Sequence, residues 1–195
     1  TTTTDSQGRY EFTGLAPGLY GIEEEQPAGY FDSGDHVGTA GGVLVAPDTI
    51  SSILLVSGTN AENYNFCEHE PASISGHVYA DDNNNGVFDA AEQPIAGVTL
   101  QLLDAAGNPT GATTTTDAAG FYRFGDLPQG IYGVAEVQPA GFYDGIDAAG
   151  SAGGSALNPG DRITGATLTP NLDAVNYDFG ELRPGSISGH VYVDD

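Results

Sequence analysis

Three observations predict an all-β fold of tandem antiparallel sandwich modules: a sequence repeat one domain long, apolar residues alternating in short runs, and turn-formers bounding those runs. Thr1 to Asp35 realigns on Thr113 to Asp147 at an offset of 112, with 19 of 35 positions identical. Pro71 to Asp82 realigns on Pro184 to Asp195 at an offset of 113, with 10 of 12 identical. The period of about 113 residues is the size of one domain. It divides the chain into residues 1–70, the later part of one repeat without its first strands, residues 71–183, a complete repeat, and residues 184–195, the first strand of a further one.

Each element of the complete repeat follows from local pattern. Val98, Leu100 and Leu102 alternate with Thr99 and Gln101, and the same alternation runs through Tyr122 and Phe124 and through Tyr132, Val134 and Glu136. Ala106-Gly107-Asn108-Pro109, Ala119-Gly120, Leu127-Pro128-Gln129-Gly130 and Gln138-Pro139-Ala140-Gly141 are turn chemistry between strands. No stretch carries a helical period of useful length. Seven or so short strands at this spacing predict a Greek-key β-sandwich of the immunoglobulin or transthyretin-like type. Gly145 to Gly160, rich in small residues, is expected to be a long surface loop.

A sandwich without its first strands exposes an open core and unpaired edges. Residues 1–70 therefore require strands from the rest of a longer chain or from a neighbouring copy, in a head-to-tail fibre or stalk. The abrupt start at Thr1-Thr2-Thr3-Thr4 suggests a fragment or a processed product.

Twenty-seven Asp and Glu stand against four Arg, with no Lys, for a formal net charge of −23. Phosphate backbones and anionic lipid headgroups would repel such a chain, which argues against nucleic-acid and membrane-surface roles. Carboxylates in this excess repel one another in a compact state unless cations neutralise part of the charge, so a divalent metal is the first partner to seek. Ten Tyr, eight Phe and regularly spaced aliphatic residues supply more core than disordered segments carry. A single cysteine, Cys67, excludes an internal disulfide framework and a cysteine-based zinc cluster. No apolar run reaches the roughly 20 residues that span a bilayer, and no signal peptide is visible.

The metal has a candidate loop. Asp81-Asp82-Asn83-Asn84-Asn85-Gly86-Val87-Phe88-Asp89-Ala90-Ala91-Glu92 fits D-x-N-x-N-G-x-x-D-x-x-E. Ca²⁺ is bound in such 12-residue loops by side-chain oxygens at positions 1, 3, 5 and 9, a carbonyl at 7 and a bidentate Glu at 12, with Gly at 6 for the sharp turn. The expected ligands are Asp81, Asn83, Asn85, the Val87 carbonyl, Asp89 (directly or through water) and Glu92. The alternative is an Asx-rich turn that binds nothing. The flanks, Ser73 to Tyr79 and Gln93 to Val98, have strand character, so the ion would brace a sandwich rather than drive the opening of a helix pair.

The run SGHVYADDNNNGVFDAAEQPIAGVTLQLLD, then TTTTDAAGFYRFGDLPQGIYGVAEVQPAGF, and finally NYDFGE resembles the SdrD B-like domains, relatives of the Cna B-type repeats of bacterial surface adhesins. The resemblance covers the whole complete repeat, and residues 1–70 look like the later two-thirds of another copy. It implies a secreted or cell-surface location, calcium-dependent rigidity and a spacer or stalk role. Some Cna B-type modules form a Lys to Asn/Asp isopeptide crosslink assisted by a Glu; this chain has no Lys and cannot. Glu24 and Glu136 stand where such a Glu would lie, and are left with a structural or second-metal role or with that of a satisfied polar group.

Other constellations carry less. Asp32, Asp35 and their counterparts Asp144, Asp147 follow Gln-Pro-Ala-Gly and are expected to form solvated acidic turns, a second calcium site being the alternative. His77 and His190 are expected on strand surfaces, and His36 and His69 lack partners at zinc spacing. Thr1 to Thr4 and Thr113 to Thr116 express β-propensity or carry O-linked glycans. No catalytic elbow, phosphate loop or thiolate motif is present, and no carboxylate pair falls in a recognisable pocket, so the chain is not expected to be an enzyme. The function expected is that of a calcium-stabilised repeat of an extracellular protein. The alternative is an adhesin-type binding module using the loops Gly145 to Gly160 and Ser33 to Val45. An accessory domain of a secreted enzyme comes third.

Overall fold

A computed structural model of the chain describes residues 1–45 and 47–194; Asp195, the last residue of the short third segment, lies outside the described residues. The chain forms two compact units, Thr1–His69 and the residues from Glu70 onward. No helix is present among the described residues, and none is long and apolar enough to cross a membrane.

The first unit holds β1 (Gly18–Glu23), β2 (Phe31–Asp32), β3 (Val43–Val45), β4 (Thr49–Leu55) and β5 (Glu68–His69). A three-stranded sheet runs in the order β1-β4-β3, and β2 pairs with β5. Its buried core is small: Ile50, Ile53 and Tyr64.

The second unit holds β6 (Ala72–Ala80), β7 (Gln93–Pro94), β8 (Thr99–Leu103), β9 (Pro109–Thr115), β10 (Phe121–Leu127), β11 (Gly130–Glu136), β12 (Tyr143–Asp144), β13 (Ser155–Leu157), β14 (Arg162–Leu168), β15 (Asp173–Ala174) and β16 (Phe179–Leu182). One sheet orders β10-β6-β16-β12, with β15 and β7 also on β6; the other orders β13-β14-β11-β8-β9. Between them lies one core, including Ile74 and Val78 from β6, Val98, Leu100 and Leu102, Tyr122 and Phe124, Val134, Ile163, Tyr177 and Phe179. The alternation seen in the sequence is the inward face of these strands, because successive side chains of a strand point to opposite sides.

The antiparallel sandwich is borne out with one refinement, and the long loop needs correction. Most ladders are antiparallel, but β6 pairs in parallel with β15 and β16, so the sandwich is mixed at its central strand. The region from Gly145 to Gly160 is not an open loop: it contains β13, which pairs with the following β14, and Asn158 exchanges hydrogen bonds with the Asp147 backbone at 2.8 and 3.0 Å. Small residues there allow close approach rather than mobility, as at Gly150, where a Cβ would lie 2.0 Å from the Val175 carbonyl.

Residues 9–15 correspond to β10 at the repeat offset, yet form no strand. In the second unit β10 is held by β6, and residues 1–69 contain no counterpart of β6. Without that partner Phe12 is 43% exposed, while its equivalent Phe124 is buried.

Candidate metal centre

The loop from Asp81 to Glu92 leaves the end of β6 and returns through β7, which pairs back on Tyr79 and Ala80. Asp81 is fully buried, and its carboxylate accepts the N–H groups of Asn85 (3.1 Å) and Gly86 (2.8 Å). Gly86 adopts φ +72°, and a Cβ there would meet Ile146 Cγ2 at 2.6 Å, so both conformation and space require glycine at this turn. At the far end Glu92 accepts the N–H of Asp82 (3.0 Å) and of Asp89 (2.9 Å), tying the loop's exit to its entrance. From beyond the loop Arg183 donates from Nη1 to both Asp82 carboxylate oxygens at 2.8 Å, and Phe88 stacks on Tyr79 with ring centres 4.7 Å apart.

Asn83 and Asn85 both aim at Asp89, donating from their amide nitrogens to Asp89 Oδ2 at 3.0 and 3.1 Å. Positions 3, 5 and 9 therefore converge on one point, as a cation loop requires. Turning the Asn83 amide about its last torsion puts its oxygen where the nitrogen lies, whereas the Asn85 amide is held in place by the Val87 N–H on its oxygen. Asp81 and Glu92 are instead engaged with backbone amides, each oxygen keeping a further lone pair. The Val87 N–H donates to Asn85 Oδ1 at 2.8 Å, which fixes the peptide whose neighbouring carbonyl is the expected sixth donor. The donor set is all oxygen and fits a hard cation; it offers no nitrogen or thiolate for zinc or copper.

A second set of acids lies beyond the loop. Among the described residues, ligand atoms of Glu136, Asp161 and Glu181 fall within 4.8 Å of one another, as do those of Glu24, Asp48 and Glu68 and those of Asp32, Asp35 and Asp48. The pair Asp144 and Asp147 is not a solvated turn: Asp147 is only 4% exposed. Nor is Glu136 a satisfied polar group, since both its carboxylate oxygens are buried without a hydrogen-bond partner. Burial pushes the Asp147 carboxyl up to about 8, with the Asp144 charge next in effect. Burial raises Glu136 and Glu181 as well, and for Glu136 the facing Glu181 adds to it. Alternation along β11 places Glu136 on the face of Val134 and Tyr132, a signal in the sequence, but Asp161 and Glu181 are joined to it only by the folding of β14 and β16.

The remaining candidates are peripheral. His77 is half-buried on β6 beside Asp178 (3.5 Å) and between Phe88 and Phe121. Thr113 and Thr115 are exposed on β9, an edge strand, whereas Thr116 is buried and donates to the Ile95 carbonyl at 2.8 Å. Thr1 to Thr4 are exposed and outside any strand.

Comparison with known proteins follows the same division. The profile of the SdrD B-like domain matches residues 1–64 and 72–181. Serine-aspartate repeat-containing protein F of Staphylococcus epidermidis is 34% identical over 99% of this chain and 11% of its own length. Serine-aspartate repeat-containing protein C of Staphylococcus aureus strain Newman is 36% identical over 72% of the chain and 15% of its own. The chain thus spans about a tenth to a seventh of these relatives. Among solved structures, GBS52, the minor pilin of Streptococcus agalactiae, is similar over 97% of this chain and 71% of its own, at 14% identity and a TM-score of 0.41.

Proposed function

The chain belongs to the SdrD B-like domain family, and from that premise we propose that it serves as a calcium-braced link in a stalk built of such repeats. It is a secreted or cell-surface structural repeat, not an enzyme. The observation that carries the calcium reading is the convergence of Asn83, Asn85 and Asp89 in a loop whose two ends are closed by Asp81 and Glu92. An ion there would fix β6 against β7 and so stiffen the central strand of the sandwich. Repeats packed head to tail then transmit force along the chain through these strands.

Partners of the same kind complete the assembly. Residues 184–194 repeat the sequence of β6, and Ile187 and Val191 are fully exposed. The first unit has the reverse need, a β10-like segment with no β6. Strand donation from one copy or repeat to the next satisfies both.

Calcium is tested on the full 195-residue chain by thermal unfolding in millimolar Ca²⁺ and in excess EDTA, beside the double variant Asp81→Ala, Glu92→Ala. An ion bound only to the native state stabilises it by about 4 kcal/mol when free metal exceeds Kd a thousandfold. The second unit of the native chain should unfold many degrees higher in Ca²⁺, and the double variant should lose part of that gain. An identical Ca²⁺ response in the native chain and the variant would remove the loop from the reading.

A further inference from the structure

We propose that residues 186–193 of one copy enter the first unit of a second copy as its central strand, antiparallel to residues 9–12 and parallel to residues 60–68, so that copies join in one fixed register. This insertion rests on strand donation between copies and gives it a slot, a register and a gate residue; it is independent of metal binding.

The slot is already shaped. In the second unit β6 lies between β10 and β16, and Tyr122 reaches past it to donate to the Tyr177 carbonyl at 2.6 Å. In the first unit, which has no β6 counterpart, Tyr10 donates to the Tyr64 carbonyl at 2.7 Å. The rings agree as well. Tyr10 and Phe66 stand 6.3 Å apart, as do Tyr122 and Phe179, and Tyr10 meets Phe12 edge-on at 6.1 Å where Tyr122 meets Phe124 at 6.2 Å. Tyr64 accepts the Ala40 N–H and donates to the Gly41 carbonyl, the contacts that Tyr177 makes with Ala152 and Gly153. The flanks thus keep their places without a strand between them. What is lost is burial: Phe12 and Leu15 are 43% and 45% exposed, against 6% and 9% for Phe124 and Leu127.

The donor matches that slot. Residues 186–193 repeat the sequence of β6, lie outside any strand, and expose Ile187, Val191, Tyr192 and Val193. Carried over at offsets of 112 and 113, the β10 ladder sets Phe12 opposite Ile187 and Tyr10 opposite Gly189. On the other side the parallel ladders set Ala61 opposite Ile187, Phe66 opposite Val191 and Cys67 opposite Tyr192. Ile187 and Val191 then take the inward places that Ile74 and Val78 hold in the core of the second unit. Gly189 is the gate: at its counterpart Gly76 a Cβ would overlap the Tyr177 carbonyl, so only glycine passes. Donor and acceptor are different surfaces of the chain. Each copy gives one strand and takes one, a heterologous contact that propagates from copy to copy.

Disulfide trapping on the full chain tests the register. Cys67 is the chain's only cysteine. Tyr192→Cys puts a second thiol on the residue that would face it, on the same side of the sheet, whereas Val191→Cys puts one on the opposite side. The oxidant is diamide, which takes up the two electrons and two protons of each thiol pair. Tyr192→Cys should give a ladder of linked dimers and higher multimers, bridged between Cys67 and the introduced thiol, and Val191→Cys should give none. Adding Gly189→Ala to Tyr192→Cys should abolish the ladder. Residue 189 is exposed and outside any strand, so the second unit should keep its melting temperature, which separates lost insertion from lost folding. Bridges within one chain or between two introduced thiols, a ladder that survives Gly189→Ala, or equal ladders from the two cysteine variants would overturn the proposal. Association in sedimentation velocity without the ladder would overturn this register and leave strand donation standing; a monomer without the ladder would remove both.

Discussion

Gly86 shows how one residue carries both turn and packing. Its φ of +72° is strained for any side chain, and Ile146 occupies the space a Cβ would need. Gly107, at φ +79° in an open turn, meets nothing within 4 Å. Gly86→Ala should therefore lower stability by about 1–3 kcal/mol, the cost of a strained backbone residue, and Gly107→Ala should fall at the lower end of that range. Urea denaturation in EDTA measures both. Equal losses would mean that Ile146 moves aside freely. The ion pair of Arg183 and Asp82 is half-exposed on both sides and contributes little by comparison.

At the scale of elements, β11, β12, β14 and β16 bring their acids together without a counter-charge, and this fixes the sign of the pH dependence. Glu136, Asp147 and Glu181 all titrate above ordinary carboxylates, because burial penalises their charged forms. A raised native pKa means that the folded state holds protons the unfolded chain has already released. Stability without metal is then greatest below the unfolded carboxylate range and falls as pH rises toward about 8, where Asp147 titrates. In EDTA the melting temperature of the second unit should drop between pH 5 and pH 8, and Glu136→Gln with Glu181→Gln should flatten that slope. A flat EDTA profile in the native chain would mean that the acids are solvated.

For the whole molecule the contrast lies between the units. Among its described residues the first buries three hydrophobic side chains in its core, Ile50, Ile53 and Tyr64, and exposes Phe12, Leu15, Leu19, Val43 and Leu54. The strand donation proposed above would give residues 9–15 the partner that β6 gives β10. The 195-residue chain should therefore associate with rising concentration in sedimentation velocity, with hydrogen exchange slowing at residues 9–15, and the chain ending at residue 183 should do neither. If both chains stay monomeric at equal protection, the missing strand is not supplied by a second copy.

The sequence by itself determined the period, the strand alternation, the turns and the acidic loop from Asp81 to Glu92, because each of these is written in residues close along the chain. Val98, Leu100 and Leu102 declare an inward face through spacing alone, and Gly86 declares its turn. The parallel pairing of β6 with β15 and β16 and the closure of residues 145–160 by β13 were decided only by tertiary structure. The β6 pairings join residues about 100 apart, whereas β13 meets β14 across only 5 to 9 residues, a hairpin that its small residues leave without a strand pattern in the sequence. The acid pocket belongs with them. Glu136, Asp147, Asp161 and Glu181 are ordinary acids in an acidic chain until two sheets close over them, remove their water and leave their oxygens facing one another.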